Sequence, residues 1–155
     1  MLLTTERCVI RDFAKSDAAQ LHEVLSDAQV MEYIEPPFTM EQTEGFIESA
    51  GLSTPPLVYA LLWKETSRVI GHVIFHRYEE DSFEIGWIIH KEYWRRGIAG
   101  EVTDALIQYA QKAGARSCVI ECDPQQIVTG QIARKHGFLY EGQDDDCDIY
   151  RLIFP

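Results

Sequence analysis

The chain has 155 residues, 46% of them hydrophobic, and 25 acidic against 14 basic side chains give a formal net charge of −11. That length supports one domain, 1–155, around one core, and no Pro/Gly/Ser-rich linker divides it. The charge argues against nonspecific nucleic-acid binding, which needs a basic face, and no apolar run approaches the roughly 20 residues of a membrane span.

The opening MLLTTERCVIRDF lacks the long apolar core of a signal peptide, so a cytoplasmic protein is expected. Within it RCVIRDF reads as a strand. KSDAAQLHEVLSDAQ then reads as a helix capped by Asp17 or Ser16 and carrying Leu21, Val24 and Leu25 on one side. In PPFTMEQTEGFIESAG the prolines break the chain, Thr39 caps a second helix that buries Phe46 and Ile47, and Gly51 stops it. The segment PLVYALLWKETSRVIGHVIFHRYEEDSFEIGWIIH holds three strand-like runs separated by polar turns, the pattern of an antiparallel meander. A long helix follows, on which Ile98, Val102, Ala105, Leu106, Tyr109 and Ala113 form an apolar stripe. RSCVIEC is a strand, QQIVTGQIARKHG a helix, and FLYEG with CDIYRLIFP a last strand or pair. Hairpin-paired strands followed by helix-linked ones predict a mixed sheet with helices on both faces. Cys8, Cys118, Cys122 and Cys147 form no CxxC pair and have no histidines at zinc spacing, so they are expected reduced and packed, with no metal.

The stretch EYWRRGIAGEV sets the arginine pair Arg95 and Arg96 against small residues at the start of the long helix. Uncovered backbone N–H groups there meet the positive end of the helix dipole, and small side chains let an anion approach them. The three-glycine fingerprint of a dinucleotide site is absent, and the preceding strands do not read as a βαβ unit.

This element order, with TERCVIRDFAKSDAAQLHEVLSDAQVMEYI, EIGWIIHKEYWRRGIAGEV and IARKHGFLYEG, resembles the GNAT superfamily of acetyl-CoA-dependent N-acetyltransferases, and within it the RimJ/RimL branch. The resemblance implies a twisted, mostly antiparallel sheet of six to seven strands flanked by four helices, with a splayed gap between its fourth and fifth strands. WRRGIA occupies the family's Q/R-x-x-G-x-G/A motif, so Arg95, Arg96, Gly97, Ile98, Ala99 and Gly100 are expected around the pyrophosphate of coenzyme A. Trp94 stands where the pattern prefers Gln or Arg, and Gly100 where it prefers a hydroxyl. In FEIGWIIH, Trp87, Ile88 and Ile89 are expected to offer main-chain groups to the pantetheine arm, one of them holding the thioester carbonyl.

Acetyl transfer needs a neutral amine, and Glu84, at the family's Glu position, is the candidate base, acting directly or through water. His72 and His76 share a strand face with Ile74 and border the amine pocket or lie on the surface. Gln126 and Thr129 align with the family's Asn and Ser cofactor contacts, and Lys135 reaches a phosphate or favours its helix C-terminus. The family's Tyr four residues before the Gly of KHGF is Ala133 here, so its usual general acid is missing. The expected partner is an amine acceptor, a protein N-terminus or a small amine, with a homodimer left open. The rivals are an acyl-CoA-binding regulatory module without turnover and a nucleotide-binding α/β domain.

Overall fold

The computed structural model describes all 155 residues, the side chain of Leu2 excepted. A short hairpin, β1 (Leu2–Thr4) and β2 (Cys8–Arg11), opens the chain. Helix α1 (Ala18–Leu25) buries Leu21, Val24 and Leu25, the three side chains its spacing puts on one face. Asp17 does not cap it. Its carboxylate instead forms a forked pair with Arg11, at 2.8 and 2.9 Å, and accepts from the Ala14 N–H, so it fastens the helix entry to β2. In α2 (Met40–Phe46), Thr39 Oγ1 accepts from Gln42 N while Gln42 Oε1 accepts from Thr39 N, a reciprocal cap. A π-turn, Ile47–Gly51, ends that helix and buries Ile47.

The central run forms the expected meander of β3 (Val58–Trp63), β4 (Arg68–Glu79) and β5 (Ser82–Ile89), all antiparallel neighbours. After it come α3 (Ile98–Lys112), β6 (Ser117–Cys122), α4 (Ile127–Lys135), β7 (Leu139–Asp144) and β8 (Cys147–Ile153). The sheet order is β1-β2-β3-β4-β5-β6-β8-β7. Eight strands replace the expected six to seven, because three residues before β2 pair back onto it and the C-terminal segment folds as a hairpin.

Alternation divides the sheet into two faces. One face packs Ala60, Leu62 and Val69 against α1 and the π-turn after α2 with Leu21, Leu25 and Ile47. The other packs Val73, Phe75, Ile85 and Ile120 against α3 and α4 with Val102, Leu106 and Ala133. The buried stripe of α3 is Ile98, Val102, Thr103, Leu106 and Ala110, and Ala113 lies exposed beyond its end. Cys8, Cys118 and Cys122 are buried free thiols, raised by burial to about 11, 12 and 11, and Cys147 is half-buried. Among the described residues no helix is long and apolar enough to cross a membrane, and no group of three or more His, Cys, Asp or Glu could hold a metal ion.

Candidate functional site

The only parallel contact in the sheet is between β5 and β6, and it is short. Ser82, Phe83 and Glu84 pair with Ser117, Cys118 and Val119, after which the two strands part. β6 continues to Cys122 paired only with β8, while β5 continues to Ile89 paired only with β4. A gap therefore opens just beyond Glu84.

The hydrogen-bonding phase decides which groups of β5 face it. His90 N donates to Ile70 O at 2.7 Å, so by antiparallel alternation Ile88, Gly86 and Glu84 direct their N–H and C=O toward β4. The Ile88 carbonyl abuts Gly71, 1.9 Å from where a Cβ on that glycine would stand. At the other end Arg116 N donates to Asp81 O, which gives the same phase. Trp87 and Ile89 thus turn their backbone toward the gap, and Ile88 does not, which corrects the expectation of a main-chain contact there. The Ile89 carbonyl is also engaged, since the Trp94 indole Nε1 donates to it at 2.7 Å.

That bond pins the loop between β5 and α3. Arg95 takes φ 62° and Gly97 φ 77°, left-handed values on either side of Arg96. Alternating handedness makes successive amides converge into a concave cradle, and it opens at the first turn of α3. For Gly97 this conformation is natural, whereas for Arg95 it is strained. Both arginines are exposed, and the Arg96 guanidinium lies 5.0 Å from the Tyr93 ring centroid. Ile98 is buried and anchors the helix start, with Ala99 and Gly100 half-buried beside it.

Three residues that local pattern did not single out, Arg7, Glu101 and His136, complete this corner. Arg7, from the turn before β2, lies within 3.6 Å of the position a Cβ on Gly97 would take. Glu101 holds it there, accepting from Arg7 N and Nε at 2.9 Å and from Thr5 Oγ1 at 2.6 Å. Burial pushes the Glu101 carboxyl up, but these bonds outweigh it and leave the group below its ordinary value. His136 closes the other side, with its ring 3.5 Å from the Cβ position of Gly100 and Nε2 3.2 Å from Asp104. A side chain at residue 100 would meet that ring.

On the α1–α2 face lies a cleft of about 310 Å³. Three cross-strand pairs form its floor: His76 with Glu84, Ile74 with Gly86, and His72 with Ile88. Phe38, Phe46, Leu57 and Val58 wall it. Gly86 leaves room for Ile74, whose Cδ1 stands 3.1 Å from the missing Cβ. Glu84 Oε2 is 3.7 Å from His76 Nε2, and this carboxylate raises the imidazole above its ordinary value against the opposing effect of burial. Glu121 on β6 also acts on His76 and accepts from the Tyr78 hydroxyl at 2.9 Å. The contact between Tyr78 and Glu121 was not legible in the sequence, since it joins β4 to β6 across β5. His72 is buried, 5.0 Å from the Phe46 ring centroid. A second cavity of about 530 Å³ shares Met31, Ile34 and Glu35 with the cleft and adds Glu32, Tyr33, Asp123 and Gln125. Lys91 pairs with Asp27 at 3.1 Å, next in the chain to Ala28 of the second cavity.

Of the candidates on α4, Gln126 is turned into its own loop, where Oε1 accepts from Asp123 N at 2.9 Å. Thr129 is half-buried, and Lys135 is exposed at the far end of the helix. Ala133 is fully buried in the core.

The sequence family described as acetyltransferase (GNAT) domain matches residues 7–139. The chain is 30% identical over 151 residues to the uncharacterized N-acetyltransferase YnaD of Bacillus subtilis, covering 95% of this chain and 88% of that protein. The acetyltransferase (GNAT family) from Bacillus anthracis is similar with a TM-score of 0.88 at 25% identity, over 99% of this chain and 98% of that one. The RimL ribosomal α-N-protein acetyltransferase in complex with coenzyme A shares the fold, with a TM-score of 0.83 at 19% identity over 99% and 98% of the two chains. The chain is therefore a member of the GNAT acetyltransferase family, an N-acetyltransferase.

Proposed function

We propose that the protein transfers the acetyl group of acetyl-CoA directly to a primary amine within a ternary complex. The observation that carries this reading is the strand gap beyond Glu84 and Val119, with the backbone of Trp87 and the Ile89 N–H turned into it. Unpaired backbone groups beside a sheet need partners, and the amide-bearing pantetheine arm supplies them like an added strand. The cradle from Arg95 to Gly100 lies at the mouth of that gap and suits a diphosphate, with Arg7 as an additional cation. The RimL relative in the coenzyme A complex supports the same cosubstrate.

In this reading the acceptor enters from the opposite face, through the cleft that contains Glu84. Its amine arrives partly protonated, since an α-amino group titrates near about 7.7–8.0. Glu84, directly or through a water, takes the proton as nitrogen attacks the thioester carbonyl. A gap-facing amide stabilises the oxyanion, and collapse expels the thiolate. With Ala133 in place of a tyrosine, no hydroxyl from that helix position protonates it, which a thiol of pKa about 8.5 tolerates. The same alanine favours the rival, a module that binds acyl-CoA without turnover.

Thiol release from acetyl-CoA with a panel of primary amines separates the two. Amine-dependent release that falls about 10²-fold in Glu84→Gln supports the enzyme with that base. Binding of acetyl-CoA with no release for any amine supports the module. An Arg95→Ala, Arg96→Ala double variant with unchanged acetyl-CoA affinity would remove those side chains from the site.

A further inference from the structure

The carboxylate of Glu84 does not line the cleft alone. Its cross-strand partner His76 lines the same cavity, with Nε2 3.7 Å from Glu84 Oε2. The other ring nitrogen, Nδ1, lies 3.0 Å from the carbonyl oxygen of Arg77. A carbonyl only accepts, so Nδ1 carries a hydrogen and donates to it. Neutral His76 is thereby held in the tautomer whose Nε2 bears a lone pair and no hydrogen. Two acceptors then stand 3.7 Å apart, too far for a direct hydrogen bond, and a group bearing several N–H bonds suits the place between them.

The chemistry calls for two acceptors. An alkyl ammonium, titrating near about 10.4, enters charged with three hydrogens on nitrogen and leaves as an amide with one. The first proton must go before nitrogen has a lone pair with which to attack, and the second as the new bond forms. A single carboxylate takes one proton and has to release it before it accepts another. Glu84 and His76 together take both.

We propose that His76 is a second catalytic residue, which with Glu84 binds the acceptor as its ammonium and accepts the first of its two protons at Nε2. The freed electron pair on nitrogen attacks the thioester carbonyl and forms the C–N bond. Glu84 takes the second proton, and the C–S bond breaks with its electrons leaving on the sulfur of coenzyme A. One proton ends on that thiolate and the other in water, so both side chains return to their starting state. This rests on the assignment of the cleft as the acceptor site.

The arrangement also carries an acid block, because protonated His76 is itself the cation facing Glu84. Glu84 raises the His76 pKa above its ordinary value, burial opposes the rise, and Glu121 on β6 adds to it. The other ionisable groups lining the cleft are Glu35, from the segment after α1, and His72, which burial lowers to about 4 and so keeps neutral here. Tyr78, on the same strand, is bonded to Glu121.

Ethylamine, an ammonium at neutral pH, and trifluoroethylamine, neutral there because its fluorines withdraw charge, are the probes. With the full chain saturated with coenzyme A, ethylamine moves the His76 imidazole titration to lower pH in NMR spectra. Its calorimetric affinity falls about tenfold at about one pH unit below the His76 pKa, the fraction of protein still neutral there, and His76→Gln abolishes that fall. In acetyl transfer, His76→Gln lowers kcat/KM about 10²-fold for ethylamine and about twofold at most for trifluoroethylamine, which arrives with its first proton already gone. His76→Asn stands in if the glutamine variant fails to fold. A His76 titration that ethylamine does not move, or equal losses for the two amines, overturns the inference. A displaced titration with no acetyl transfer to any amine would leave the paired acceptors intact and refute the proposed activity instead.

Discussion

The Trp94 indole N–H donates to the Ile89 carbonyl across 2.7 Å, tying the last residue of β5 to the loop that opens α3. A polar side chain at residue 94 could have contacted an anion itself. The tryptophan instead fixes the turn from which Arg95 and Gly97 take their left-handed geometry. It also removes one of the carbonyls that would otherwise face the gap.

Trp94→Phe keeps the ring bulk and deletes the donor. The expected outcome is a loss of about 1 kcal/mol in loop stability and a rise of about fivefold in the KM for acetyl-CoA, with kcat little changed. Steady-state kinetics with acetyl-CoA varied at fixed amine gives both numbers, and a fall in kcat alone would count against the role.

Gly71 sits where β4 carries an extra residue against β3, at the register shift between Leu61 and Leu62. A Cβ there would lie 1.9 Å from the Ile88 carbonyl oxygen, a backbone atom that cannot swing away. Gly71→Ala should therefore cost about 3 kcal/mol or more, as β4 and β5 separate to make room. Urea unfolding with an unchanged slope and a lowered midpoint is the expected signature.

Acid stability carries the mark of His72. Burial lowers its pKa from 6.5 to about 4, so over that window the unfolded chain binds a proton the folded chain refuses. Its stabilising contribution is present above pH 6.5 and falls as pH drops toward 4, by roughly 3 kcal/mol in total. Paired melts of the parent and His72→Phe between those pH values should diverge in this sense, the variant losing less stability on acidification.

His76 titrates in the opposite direction. Glu84, at 3.7 Å, raises its pKa while burial opposes the rise. In Glu84→Gln the opposing effect remains and the attraction is gone, so the His76 pKa should drop. An NMR titration of the imidazole resonances reads this without any turnover, and an unmoved His76 would show that the pair is not coupled in solution.

The Glu101 carboxylate joins Thr5 and Arg7 to the first turn of α3. Glu101→Gln keeps the size and loses the charge, and a loss of about 1–2 kcal/mol is expected, because the Arg7 guanidinium and backbone N–H both lose a charged acceptor. Thermal unfolding measures it, and the same variant should bind acetyl-CoA more weakly as Arg7 loosens beside Gly97.

Local sequence determined much of this protein. The strand-like runs of β3, β4 and β5 with their polar turns, the Thr39 cap, the apolar side of α1 and the small-residue start of α3 all follow from neighbours within a few positions. Such signals depend on backbone geometry that repeats over one or two turns, and the resemblance of WRRGIA to a known motif extended them to a site. Tertiary structure decided the rest. Whether Trp87, Ile88 or Ile89 faces the gap depends on the pairing phase with β4, which no side chain encodes, and Arg7 reaches Gly97 only through an acid 94 residues away in the chain. The burial of His72 belongs to the same class, because a histidine in a strand is polar in sequence and loses contact with water only when Phe46 and the helices of that face close over it.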